Sequence, residues 1–215
     1  MDFLATFFDN YGMLLAQGTW DTLLMTIVST FFAYVIGIPL GVLCVLTSPK
    51  GLMPHRVFNM VLGWIINIGR SIPFIILLVA LIPFTRFIVG TSLGVPGAIV
   101  PLVISAAPFI ARMVEQSIEE VDGGLVEAAQ SFGANTWQIV YKVFLREALP
   151  SLVCGFAIVF ITILGYSAMA GCVGAGGLGD IAIRYGYQRY QDDVMIATGI
   201  ILIVILQIVQ SACLS

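Results

Sequence analysis

Three glycines, Gly174, Gly176 and Gly179, have the G-x-G-x-x-G spacing of the dinucleotide-binding fingerprint. That chemistry needs a preceding strand, a following helix and an acidic residue about 20 positions further on, so that a pyrophosphate can rest on the helix N-terminus. Here the glycines end a long charge-free run, 148–179, which is typical of a membrane helix. We therefore interpret these three and Gly177 as a tight external turn, where missing side chains permit close approach of backbone or of another protein.

Catalytic or metal-binding constellations are not found elsewhere in the sequence. The single histidine, His55, stands beside Arg56 in a polar segment. The cysteines lie in apolar runs without metal-ligand spacing and are expected to pack as small hydrophobes. They are Cys44, Cys154, Cys172 and Cys213. The phosphate-binding pattern G-x-x-x-x-G-K-[S/T] does not occur, so we expect no nucleotide site, no catalytic residue, no metal and no cofactor in this chain.

The composition places the chain in a membrane. Hydrophobic residues make up 60% of its 215 residues and charged residues only 10%, whereas a soluble domain carries about 25% charged residues. Long charge-free runs cover 22–49, 87–111, 148–179 and 194–215, and a spanning helix needs about 20 mostly apolar residues. The sequence predicts an all-α polytopic protein embedded in the lipid bilayer, and it excludes a nucleic-acid binder, a soluble enzyme and a disulfide scaffold.

Five spans are predicted within one transmembrane domain, 1–215. Arg70 divides the second span into two pieces that are each too short to cross alone, so we expect one helix that crosses with a tilt or with a break near Pro73. The predicted spans are 22–46, 57–84, 94–111, 151–172 and 194–214.

Basic residues in the loops predict the orientation. One side of the predicted spans holds Lys50, Arg56, Arg112, Lys142 and Arg146, and the other holds Arg86, Arg184 and Arg189. Because cytoplasmic loops carry the excess of basic residues, the first group marks the cytoplasmic side. The N-terminus is then outside, and the segment 112–150 is cytoplasmic.

The segment 112–150 is too polar to lie in lipid and must contact something in the cytoplasm. Asp122 is placed to cap a short helix, 125–132, and Gly133 is placed to end it. A further helix, 137–148, leads through Pro150 into the fourth span. We expect this arrangement of short helices between two spans to be a coupling segment.

The short helix contains a recognisable pattern: Glu127, Ala128 and Ala129, then three residues, then Gly133, then nine residues before Val143-Phe144-Leu145. It resembles the cytoplasmic signature of bacterial ABC importer permeases, except that Arg146 replaces the final proline of that signature. The resemblance implies that this helix docks on a separate cytoplasmic ATPase subunit. The coupling residues would be Glu127, Ala128, Ala129, Gly133, Leu125 and Phe132. The alternative is an ordinary surface helix.

The small side chains give a physical reason for such docking. With almost no side chain at Ala128, Ala129 and Gly133, the helix can enter deeply into a groove of a partner. Glu127, near the helix start, complements the helix dipole and can meet a basic residue of the partner.

Four further stretches, around Arg70, Ile82, Ala107 and Gly165, resemble methionine-importer permeases, as does the glycine turn. They read Arg-Ser-Ile-Pro-Phe, Ile-Pro-Phe-Thr-Arg, Ala-Pro-Phe-Ile-Ala-Arg-Met-Val-Glu and Gly-Tyr-Ser-Ala-Met. The resemblance implies a permease of the bacterial inner membrane that works as a homodimer, with two ATPase subunits inside and a methionine-binding lipoprotein outside. The expected substrate is L-methionine, with D-methionine and derivatives as further candidates.

Four residues are candidates for the transport pathway or its gate. Arg70 is the only formal charge inside a predicted span, and such charges are functional by default. The alternative is a buried or snorkelling arginine that is satisfied by carbonyls freed near Pro73. Tyr166, Ser167 and Met169 could line a pathway, or could equally face lipid or the protein interior.

Other functions stay open at this point. An ABC permease for another small solute would have the same features. An ion-coupled secondary transporter can also use helices broken by glycine and proline, but it needs acidic residues at membrane depth, and none falls inside the five predicted spans. An intramembrane enzyme would need a constellation that includes the only histidine, which lies outside those spans.

Overall fold

The computed structural model of the chain describes residues 2–214, and the described part is built from helices. A turn of 3₁₀ helix covers Gly171–Val173, and π-helical turns cover Val140–Phe144 and Ala182–Tyr187. The α-helices are α1 (Asp2–Thr47), α2 (Arg56–Ser71), α3 (Phe74–Ala80), α4 (Ile82–Val89), α5 (Gly94–Glu119), α6 (Gly123–Ser131), α7 (Thr136–Ile139), α8 (Leu145–Ala170), α9 (Gly177–Ile181) and α10 (Asp192–Leu214).

Four helical segments among the described residues are long and apolar enough to cross a membrane. They are Asp9–Thr47, Gly94–Glu119, Thr136–Val173 and Asp192–Ala212. A fifth crossing results if the bent pair α2 and α3 is counted as one span. The predicted all-α architecture with about five spans is therefore confirmed.

The second predicted span is broken at Pro73. Ile72 has an extended backbone (φ −80°, ψ 123°), as expected for a residue before proline, because the proline ring disfavours the helical region there. The chain bends by 103° between α2 and α3. Of the two arrangements expected for 57–84, the break near Pro73 is the one that the structure contains, and a single straight tilted helix is absent.

Three helices extend well beyond the predicted spans, and one of them is α5, which continues past the predicted end at 111 to Glu119. The span predicted at 22–46 lies within α1, which continues without a break to Asp2 and ends at Thr47. The helix predicted at 137–148 and the span predicted at 151–172 form one helical segment, Thr136–Val173, with Pro150 inside it. A proline in a spanning helix removes one backbone hydrogen bond and is tolerated where the surroundings support the helix.

The chain divides into two compact units. The first consists of Met1–Phe31, Pro73–Val103 and Phe160–Ser215. Its core includes a cluster of buried apolar side chains from α1, α9 and α10: Leu15, Leu178, Ile181 and Val194.

The second unit consists of Phe32–Ile72 and Ile104–Val159. It is held by close helix packing: a Cβ added at Gly37 would lie 2.6 Å from a methyl carbon of Ile110, and one at Gly41 would lie 2.6 Å from Cβ of Val114. Small residues at such crossings allow two helices to approach closely in lipid.

Candidate functional site

The short helix of the predicted coupling segment is present as α6, one or two residues displaced from the predicted 125–132. A side-chain oxygen of Asp122 accepts a hydrogen bond from the backbone N–H of Gly124 at 2.8 Å and caps the helix start. Gly133, with φ +77°, follows its last turn. The N–H of Gly133 donates to the carbonyl of Gln130 (2.9 Å), and that of Ala134 donates to Ala129 (3.0 Å). The cap and the stop therefore lie where the sequence predicts them.

Helix α6 contributes no buried residue to the fold. Leu125 is 45% exposed and Phe132, just after the helix, is 92% exposed. Glu127 and Ala128 are exposed and Ala129 is half-buried. A helix with this much apolar surface outside the fold is typical of one that binds a partner.

Gly133 is needed within this chain for its backbone conformation. No atom of the described residues lies within 4 Å of a Cβ added at this position, so this chain alone would accommodate the bulk. Its positive φ is the constraint, because residues with a side chain adopt that region only at a cost in energy.

Two aromatic residues next to α6 enlarge the exposed apolar surface. Trp137 is 65% exposed and Tyr141 is 68% exposed, while Val140 and Phe144 point into the protein. Trp137 and Tyr141 are not among the coupling residues predicted from the sequence, although their spacing of four residues puts them on one helix face. We call the exposed surface of Leu125, Phe132, Trp137 and Tyr141 the docking surface.

The glycine turn in the first unit is tightly packed. Gly174, Gly176 and Gly177 all have positive φ, and Gly177 and Gly179 are buried. A Cβ at Gly179 would overlap the carbonyl of Ala168, and one at Gly177 would lie 2.6 Å from Oγ1 of Thr22. The close approach that the sequence predicts is therefore made by the chain's own backbone and side chains.

The start of α9 is capped by a distant side chain. The buried N–H of Leu178 donates to Oγ1 of Thr22 at 2.8 Å, and the Thr22 hydroxyl donates to the carbonyl of Gly18 at 2.8 Å. Gly176, at the N-cap position, has no side chain to do this. The pairing joins α1 to the turn across a long stretch of sequence, and no local pattern indicates it.

Three of the pathway candidates lie near one another on α8. The Tyr166 ring stacks flat on Phe74, with 4.6 Å between ring centroids and 2° between planes. Ser167 is buried, and its hydroxyl donates to the carbonyl of Leu164 at 2.8 Å. Met169 is half exposed. Among these three, Met169 is the most exposed side chain.

Arg70, the fourth candidate, lies in the second unit and is exposed. Its guanidinium carbon lies 5.9 Å from the ring centroid of Phe109, within the range of a cation–π contact. Among the described residues it makes no hydrogen bond or ion pair, so the binding to carbonyls near Pro73 that was one alternative is not observed. It borders a cleft of about 330 Å³ between α2, α5 and α8.

Polar groups beside this cleft pair with one another. Arg112 forms an ion pair with Glu115, with 2.7 Å between the guanidinium nitrogen and the carboxylate oxygen. The hydroxyls of Ser117 and Ser151 are 2.9 Å apart and join α5 to α8. These groups are therefore already paired within the chain, unlike Arg70.

A family model described as "Binding-protein-dependent transport system inner membrane component" matches residues 37–212. The chain is 50% identical over 208 residues to the probable D-methionine transport system permease protein MetI of Vibrio cholerae serotype O1, covering 97% of this chain and 92% of that protein. It is 56% identical over 158 residues to the D-methionine transport system permease protein MetI of Escherichia coli K12, covering 74% and 73%.

Solved structures agree with these relatives. A chain of the MetNI methionine ABC transporter in an inward-facing conformation superposes with a TM-score of 0.93 at 51% identity, over 95% of this chain and 94% of that one. A chain of an amino acid ABC transporter crystallised with histidines shares the fold, with a TM-score of 0.78 at 22% identity over 99% and 96% of the two chains.

Proposed function

The chain belongs to the binding-protein-dependent transport system inner membrane components, and on that premise we propose that it is the membrane-spanning subunit of an ATP-driven methionine importer. It is a multi-pass protein of the bacterial inner membrane. The strongest support is the similarity to methionine permeases over nearly the whole chain. The substrates are L-methionine, D-methionine and their close derivatives.

The energy for transport comes from separate subunits. The sequence has no phosphate-binding loop of the Walker type, so ATP is hydrolysed by cytoplasmic ATPase subunits and this chain has no enzymatic activity. Two copies of the chain assemble around a shared path, and each binds one ATPase subunit. A methionine-binding lipoprotein delivers the solute from outside.

The docking surface and α6 form the contact with the ATPase. The small residues Ala128 and Ala129 let α6 enter a groove of that subunit, and Leu125 and Phe132 supply apolar contacts at its ends. Glu127 is exposed and meets a basic residue of the ATPase. Opening and closing of the ATPase pair then moves α5 and the helical segment Thr136–Val173, which precede and follow α6 in the sequence.

The outer part of the chain receives the solute. Gly174 and Gly176 are the less buried glycines of the turn and lie where the backbone is open to the binding protein. Tyr166, Ser167 and Met169 follow one another on α8 toward this turn. Met169 acts as a flexible apolar gate, since a thioether side chain can fill gaps of different shape.

Reconstitution tests the function directly. The chain, the ATPase subunit and the binding protein are placed in liposomes, and uptake of labelled methionine is compared with that of other amino acids. We expect uptake that requires ATP, the binding protein and methionine. Uptake driven by an ion gradient without ATP would contradict the proposal, and preference for another solute would reassign the substrate.

A further inference from the structure

Arg70 is a cation that has no counterion among the described residues. Its side chain is exposed, and its guanidinium has no hydrogen bond or ion pair within the part of the chain that the structure describes; its recorded contact is the Phe109 ring at 5.9 Å. A charge in a membrane span is costly unless it is paired or hydrated. Any anion that pairs with Arg70 therefore comes from outside the described residues of this chain.

The cleft next to Arg70 has the size and the lining of a small-molecule site. Its volume is about 330 Å³, within the range of ligand pockets. Phe109, Met113 and Ile158 form an apolar wall, and Gln116 and Ser151 add polar groups. The other arginine of the lining, Arg112, is paired with Glu115, which leaves Arg70 as the available cation.

We propose that this cleft binds the transported amino acid, with the Arg70 guanidinium holding its α-carboxylate and Phe109 and Met113 contacting its apolar side chain. The planar guanidinium matches a carboxylate through two parallel hydrogen bonds. A thioether packs well against the Phe109 ring. A phospholipid phosphate would use the same guanidinium, and the labelling experiment below separates the two ligands. This proposal rests on the proposed function, methionine import, and adds a place within the membrane subunit where the solute binds.

Cys154 provides a reporter inside the cleft. Its thiol is exposed and lines the cleft, whereas Cys172 is exposed in the first unit, outside the cleft lining. Two variants keep only one of these thiols, with the other cysteines replaced by alanine. The complex of this chain with the ATPase, without the binding protein, is placed in nanodiscs without ATP. The rate at which N-ethylmaleimide labels the remaining thiol is followed by mass spectrometry.

We expect L-methionine to slow the labelling of Cys154 in a saturable way and to leave Cys172 unchanged. Methioninol, which has the same side chain and ammonium group but no carboxylate, should give no protection. Arg70→Gln should abolish the protection, and Arg70→Lys should retain part of it because the charge is kept. In liposomes, Arg70→Gln should reduce methionine transport about tenfold or more, the order expected for the loss of a charge-assisted hydrogen bond, while the control Arg86→Gln keeps normal transport.

Three results would contradict binding of the amino acid in this cleft. These are equal protection by methioninol, full protection in Arg70→Gln, or no effect of methionine on Cys154 in a complex that transports methionine. Labelling that depends on anionic lipid in the nanodisc and not on methionine would assign Arg70 to a lipid phosphate instead. If Arg70→Gln does not assemble, the comparison of methionine with methioninol in the Arg70-containing complex decides. A complex that fails to transport methionine at all contradicts the proposed function itself.

Discussion

Glycine serves two different physical purposes in this chain. At Gly133 the need is a positive φ of 77°, and no atom in the described part of the chain comes within 4 Å of a Cβ added there. At Gly179 the need is space, because a side chain would overlap the backbone of Ala168. The same residue type thus ends a helix in the docking region and permits backbone contact in the turn.

Gly133→Leu should weaken binding of the ATPase. A residue with a side chain pays about 1–2 kcal/mol in the left-handed region, which shifts the end of α6 and the exposed Phe132 next to it. Copurification of the ATPase with the tagged permease measures the effect. Gly133→Asn is the matched control, since asparagine tolerates positive φ better. If both variants lose the ATPase equally, the cause is bulk in the partner's groove and not backbone strain. Normal copurification of the ATPase with the leucine variant would show that Gly133 is not at the contact.

Thr22→Val should destabilise the first unit. The substitution keeps the shape but leaves the buried N–H of Leu178 without its acceptor, which costs about 1–3 kcal/mol. We expect a lower melting temperature of the purified chain in detergent. Thr22→Ser keeps the hydroxyl and should be milder. Equal melting temperatures for the valine variant and the unaltered chain would show that the hydrogen bond from Leu178 is not important for stability.

Residues whose role is local could be predicted from the sequence, and those whose partners are distant could not. Asp122 and Gly133 delimit α6 because capping depends on neighbouring backbone groups. The partner of Leu178 is Thr22, which no sequence spacing connects to it. Likewise Arg70 stands out as a charge in an apolar run, but only the packing of α2, α5 and α8 creates the cleft beside it.

At the level of the helices, the prolines also have effects that local sequence alone does not predict. Pro73 breaks the second span, where Ile72 is extended, whereas Pro150 lies inside α8. The neighbours of Pro150 explain the difference: Ala148 and Leu152 are both buried, so packing keeps that stretch helical despite one missing hydrogen bond. Hydropathy therefore predicts how many spans there are, but tertiary contacts decide which prolines interrupt them.

Single cysteines test the predicted orientation of the helices in a cysteine-free background. We expect Asn10→Cys on α1 and Tyr187→Cys before α10 to react with an impermeant thiol reagent in intact cells. Gln130→Cys on α6 should react only after the membrane is opened. All three side chains are exposed, so burial in the protein does not explain a lack of reaction. The reverse pattern would invert the orientation and remove the basis for ATPase docking at α6.

The whole molecule has surfaces that its own fold leaves open: the docking surface and the cleft beside Arg70. An isolated membrane chain with such surfaces is expected to be part of a larger assembly. A symmetric pair is the commonest oligomeric form, and it would give each of two ATPase subunits one copy of α6.

The mass of the purified complex should therefore fit two copies of this chain with two ATPase subunits. Native mass spectrometry or light scattering checks this stoichiometry. ATP hydrolysis by the complex should rise when the binding protein loaded with methionine is added, and the unloaded binding protein is the control. A single permease chain that transports methionine without any ATPase would refute this assembly.

The π-helical turn Val140–Phe144 is a place where one residue can be deleted without rotating the helix that follows. Its closing bond runs from the N–H of Leu145 to the carbonyl of Val140, so the turn holds one residue more than an α-helical turn. Deleting Lys142 would convert it to regular α-helix and leave the angular position of every residue in α8 unchanged. A deletion within α8 would instead rotate all later residues by about 100° relative to earlier ones. Within the segment Thr136–Val173, the turn is thus a place where the loss of one residue does not rotate the rest of the helix.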